Sequence, residues 1–76
     1  MKHAPDTFDL RAYGRTELAQ LYLPHLSPGR AWRKLREWLA ASPGLEQRLQ
    51  GTGYDGHGRT FTPLQVKLIV EALGEP

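Results

Sequence analysis

Three times this chain sets a hydroxyl residue directly before a proline: Ser27-Pro28, Ser42-Pro43 and Thr62-Pro63. Serine and threonine can satisfy a free N–H at a helix start, and proline fits the first helical position, where its missing N–H costs nothing. Each pair therefore predicts a helix start, with the hydroxyl residue as cap. Thr62 carries the strongest of these signals, because Gln65 stands where it can close a capping box. A further helix is predicted ahead of all three. With Gly14 as its N-cap, Glu17 falls near the positive end of the helix dipole, and Tyr13 and Leu18 occupy the positions of a hydrophobic staple. Pro24 ends this helix near Tyr22 or Leu23, since the residue before a proline is driven out of helical conformation.

The apolar spacing agrees with four short helices. Leu18, Leu21 and Tyr22 repeat as one buried face with Ala19 beside it. In the second helix Ala31, Trp32, Leu35, Trp38 and Leu39 fall within an arc of about 120°, the width of a core-facing stripe. Leu45 and Leu49 face inward in the third, which Gly51 and Gly53 end. The last helix runs to Leu73, with Gly74 just past its end. It is apolar almost all round: Leu64, Leu68 and Ala72 form one row, while Val66, Ile69, Val70 and Leu73 form another on nearly the opposite side. Val66, Ile69, Val70 and Leu73 are accordingly expected to form a homodimer interface. Phe8, Leu10 and Ala12 alternate with polar residues as in a short half-buried strand, and residues 59–61 suit a second strand. Between the third and fourth helices, "TGYDGHG" suggests a turn centred on Asp55-Gly56 that suits a hairpin or wing. Residues 1–7 contain Pro5 and no periodicity, and read as a flexible arm ahead of one domain over 8–76.

Charge matters here by its location. The chain has ten basic and eight acidic side chains. Arg30, Arg33, Lys34 and Arg36 stand within seven consecutive positions that hold no acid, leaving the remainder net negative. Around the second helix Arg30, Arg33, Lys34 and Glu37 point away from the apolar stripe, and Arg36 lies on its border. Cations near a helix N-terminus oppose the dipole, and Arg30 with Lys34 is a like-charge pair four residues apart. Stability alone does not favour that placement, whereas a phosphate bound at the helix start relieves both conflicts. The plainer readings are a solvated face, an Arg33–Glu37 pair, or an acidic protein partner. The expected nucleic-acid contacts are Arg30, Arg33 and Lys34 on double-stranded DNA, with Ser27 and Arg36 touching its backbone and Arg59 reaching from the wing.

The order of helix, connection, basic helix and glycine-rich turn, together with "GRTELA" at 14–19 and "GRTFTPLQV" at 58–66, resembles the winged helix-turn-helix of MerR-type regulators. The connection "LPHLSPG" is longer than the tight turn of that motif. Residues 8–76, with "ELAQLYLPHLSPGRAWRKLREWL", "GY" and "FTPLQVKLIVEALGEP", also resemble a family of short bacterial proteins of unknown function. The resemblances imply a mainly α fold: a small helix-turn-helix-like, winged-helix-like domain of about four helices with a minimal two-stranded β element. The likeness to MerR-type regulators implies a DNA-binding regulator or accessory factor, whereas the likeness to the family of unknown function implies a compact, mainly helical domain and no particular activity.

Other chemistry finds little footing. His3, His25 and His57 lack metal-ligand spacing, no cysteine is present, and "GYDGHG" lacks the lysine and hydroxyl residue of a phosphate-binding loop. Asp55 and His57 sit in a turn rather than a preorganised site. A non-enzyme without cofactor, metal or small-molecule substrate is expected. The longest strongly apolar run is residues 68–70, far short of a membrane span, and the N-terminus lacks a signal-peptide core, so a cytoplasmic protein is expected. The rival reading is a protein-interaction or assembly domain that dimerises through the last helix and binds no nucleic acid.

Overall fold

The structure, a computed structural model, describes residues 8–76, and the arm expected over residues 1–7 lies outside them. In chain order the elements are β1 (Tyr13–Gly14), α1 (Arg15–Tyr22), α2 (Pro28–Ala41), α3 (Leu45–Gln50), β2 (Thr60–Phe61) and α4 (Pro63–Leu73). The fold is mainly helical, four helices with a two-stranded antiparallel sheet, as the residue pattern leads one to expect.

Helix α1 starts where Gly14 was expected to cap it. The Gly14 N–H donates to Glu17 Oε1 at 3.0 Å. Glycine has no side-chain oxygen to return the bond, so only this half of a capping box forms. Tyr13 and Leu18 are both buried around this start, in the positions of the staple. The inward face is rotated from the expected one: Leu18, Ala19 and Leu23 are buried, whereas Leu21 is 44% exposed. Helix α2 buries Ala31, Trp32, Leu35 and Leu39, while Trp38 is half-buried with its ring edge-on to Tyr22.

Ser42 corrects the reading of the next helix. It closes α2 instead of opening α3, since its N–H and its hydroxyl both donate to the Trp38 carbonyl, at 3.1 and 2.9 Å. The chain then reverses through Gly44 at φ 76°, a left-handed conformation that favours glycine, and α3 begins only at Leu45. Leu45 and Leu49 do face the core.

The strands also differ from expectation. Residues 8–12 form no strand; Leu10 is exposed, and Phe8 stacks on Tyr13 with ring centroids 5.3 Å apart. Among the described residues, pairing is confined to Tyr13 with Phe61 and Gly14 with Thr60. The two strands are thus joined through three helices rather than by the turn at Asp55-Gly56, and no hairpin forms there among the described residues. That turn is instead closed by Asp55 Oδ1, which accepts the His57 N–H at 2.9 Å, with Gly56 at φ 85°.

Thr62 caps α4 as expected. Its Oγ1 accepts the Gln65 N–H at 3.2 Å, and its own N–H donates to Gln65 Oε1 at 2.9 Å. Gln65 Nε2 then donates to Thr52 Oγ1 at 2.9 Å, tying the start of α4 to the glycine-rich turn. This docking turns Val66 and Ile69 fully inward and leaves Val70 and Leu73 half-buried. Two of the four residues expected to meet a second copy, Val66 and Ile69, thus fill this chain's own core. At the other end the Tyr22 hydroxyl donates to the Gly74 carbonyl, joining α1 to the end of α4, and burial pushes that phenol up to about 12.

Candidate nucleic-acid interface

Because α2 spends its apolar arc on the core, its remaining arc carries Arg30, Arg33, Lys34 and Glu37 in the open. These four line one shallow depression of about 200 Å³ together with Leu26. Lys34 Nζ lies 3.7 Å from Glu37 Oε1, so the acid pairs with Lys34 and not with Arg33. Among the described residues Arg30 and Arg33 form no ion pair. Both partners of the Lys34–Glu37 pair are more than half exposed, and such surface pairs hold weakly and exchange readily.

Ser27 opens α2 with an extended backbone, and its carbonyl accepts the Ala31 N–H at 2.8 Å. Its hydroxyl makes no capping bond, in contrast to the expectation drawn from the Ser-Pro pair. Pro28 has no N–H, and the N–H groups of Gly29 and Arg30 precede the first intrahelical bond. Apart from its chain neighbours and the helix's own backbone, no atom of the described residues stands within 4 Å of the place a Gly29 Cβ would take.

Arg36 is turned to the other flank of α2. It lines a second cleft, of about 220 Å³, with Glu46, Tyr54 and Asp55 over a floor of Leu39 and Leu49. Arg59 lines neither depression. Its carbonyl accepts the Arg15 N–H at 2.8 Å, which fastens the start of α1 to β2. Of the six residues singled out for DNA, the structure therefore gathers Arg30, Arg33 and Lys34 into one depression, with Ser27 at the start of the same helix. Arg36 and Arg59 lie apart from that depression.

Arg15 is a cation that sequence reasoning did not single out. Its guanidinium carbon lies 5.3 Å from the Trp32 ring centroid, in cation–π range. Tyr54 is held above the ordinary phenol value by burial, against a smaller downward pull from Arg36 and Arg15. The sequence signal for Arg15 was its place at the head of the helix that packs on α2; what hid it was its distance along the chain from the other cations.

Asp55 closes its turn by accepting the His57 backbone N–H, and chiefly that bond holds its carboxyl below the usual carboxylate range. Among the described residues no cluster of three or more His, Cys, Asp or Glu side chains is placed to hold a metal ion. No helix among them is long and apolar enough to cross a membrane. What the open arc of α2 offers chemically is anion recognition, with two planar guanidinium forks beside an ammonium group at an uncapped helix start.

A family model described as a domain of unknown function, DUF4248, matches residues 9–76. No curated protein and no solved structure matches the chain.

Proposed function

The chain belongs to the DUF4248 family, whose description names no activity, and from its own surface we propose that it is a DNA-binding domain that lays the open arc of α2 on a duplex. The observation that carries this reading is the gathering of Arg30, Arg33 and Lys34 in one depression along the open arc of α2, with Lys34–Glu37 as the only ion pair there among the described residues. A cation in the first turn of a helix, Arg30 here, costs about 0.3–1 kcal/mol against the dipole. A phosphate at the helix start offsets that cost, because the dipole and the free N–H groups then hold an anion beside Arg30. Arg30 and Arg33 face base edges, Lys34 a phosphate, and the uncommitted Ser27 hydroxyl the backbone beside it. Arg36 and Arg59 meet phosphates at the periphery. Packing of α1 on α2 across residues 23–27 supports the helix-turn-helix likeness, and the reading is of a cytoplasmic regulator or accessory factor.

The rival reading, an assembly domain dimerising through α4, loses Val66 and Ile69, which are 0% exposed within a single chain. It retains half-buried Val70 and Leu73, and Leu64 on the opposite row, 54% exposed.

Fluorescence anisotropy of a labelled random-sequence duplex tests the proposal. Three phosphate contacts predict a loss of affinity of about 40-fold between about 50 and about 200 mM salt, from the counterion slope. Replacing Arg30 and Lys34 together with glutamate should abolish binding while the far-ultraviolet circular dichroism stays that of the parent. No binding of the parent protein at the lower salt, or unchanged binding by the double variant, overturns the assignment.

A further inference from the structure

We infer that Glu37 is a base-reading residue: its carboxylate accepts from the exocyclic amino group of cytosine in the major groove, beside arginines that read guanine. The inference rests on the DNA reading above and adds a sequence preference to it. Glu37 is the one acid in the depression that holds Arg30, Arg33 and Lys34, and its side chain is 64% exposed. A carboxylate facing phosphates is repelled, so on a helix laid against a duplex its favourable place is over the base edges. There the amino group of cytosine is the donor that Glu or Asp reads, while guanine O6 and N7 accept two bonds from arginine.

The placement on α2 suits this division of labour. Arg33 and Glu37 are four residues apart on one face, about 6 Å along the helix axis, a span close to two base-pair steps. Lys34 sits at the edge of the same arc, 3.7 Å from Glu37 Oε1. On DNA it can turn toward a phosphate while still neutralising the acid in part, which lowers the cost of bringing a carboxylate to a polyanion.

Parallel selections from a randomised duplex pool, followed by anisotropy on the duplexes recovered, test the assignment with the parent protein, Glu37→Gln and Glu37→Ala. The parent is expected to enrich G·C pairs and to lose from about 5-fold to about 150-fold in affinity when the pair read by Glu37 is changed. Glu37→Gln should move the preference at that one position from cytosine to adenine, because a carboxamide pairs with adenine N6 and N7. Glu37→Ala should lose the preference there and keep it elsewhere. If either variant changes affinity for every duplex by the same factor, or leaves the selected sequence unaltered, Glu37 is not a reader although the domain still binds DNA. If the parent binds no duplex, the DNA reading fails and this inference with it. Glu37 is on the surface, and circular dichroism of both variants checks that the helix is retained.

Discussion

Thr62 and Ser27 stand in the same local context, each an extended residue before a proline that opens a helix, yet only the Thr62 hydroxyl accepts a bond from the helix it starts. The difference lies in the third helical position. Gln65 returns a bond to the Thr62 N–H and is itself 5% exposed, held by Thr52, whereas Arg30 at the corresponding place in α2 points to solvent. Thr62→Ala is expected to cost about 1 kcal/mol, the usual worth of a made cap, read from the midpoint of urea denaturation. Ser27→Ala should change stability by less than about 0.5 kcal/mol. If the Ser27 hydroxyl serves a phosphate, the same variant weakens duplex binding without moving the denaturation midpoint.

At the scale of the element, the start of α1 depends on one carboxylate. Glu17 Oε2 lies 3.0 Å from Arg11 Nη2 and Oε1 takes the Gly14 N–H, and these bonds hold Glu17 below the usual carboxylate range. Its folded value is thus lower than its unfolded one. The contribution is complete above the unfolded value, about 4.3, and disappears as the pH falls through the lowered folded value. Asp55 shifts in the same direction at the glycine-rich turn, through the His57 backbone N–H. Denaturation midpoints between pH 7 and pH 2 should therefore fall through this acid window, and Glu17→Gln should lower the pH 7 midpoint and flatten the fall. A midpoint in Glu17→Gln that tracks the parent at every pH removes the carboxylate from the account of α1.

Across the whole molecule, Phe61 joins parts that are far apart in the chain. It pairs with Tyr13 in the sheet, packs 5.9 Å from the Trp32 ring centroid on α2, and stacks 5.4 Å from Tyr54 in the glycine-rich turn. Phe61→Ala is expected to cost about 3–5 kcal/mol. For a chain of this length that is a large part of a total stability of roughly 4–11 kcal/mol. Since β1, α2, the turn and β2 share this contact, they should unfold together. Tryptophan fluorescence, which reports Trp32 beside Phe61 and Trp38 beside Tyr22, should give the same urea midpoint as circular dichroism. Separate midpoints would mean that the packing around the tryptophans and the helices do not unfold as one cooperative unit.

The helix starts at Arg15, Pro28 and Pro63, the core stripe of α2 and the open arc opposite it were all legible from the residues alone. Capping bonds, the backbone limits of proline and the 3.6-residue period act within one or two turns, so the residues that decide them are neighbours in the chain. Ser42 was misread because its hydroxyl and N–H could serve either the helix behind it or the one ahead; the reversal at Gly44 decides between them. The sequence offered two comparable apolar rows on α4, and only its docking through Gln65, Thr52 and β2 turned Val66 and Ile69 inward. Periodicity already set Arg36 on the border of the stripe, but its neighbours Glu46, Tyr54 and Asp55 come from the packing of α3 and the glycine-rich turn, as Arg15 comes beside Trp32 through α1. Periodicity says which side chains share a face; which face is buried and what stands next to it depend on contacts between segments distant in the chain, and those exist only once the chain has folded.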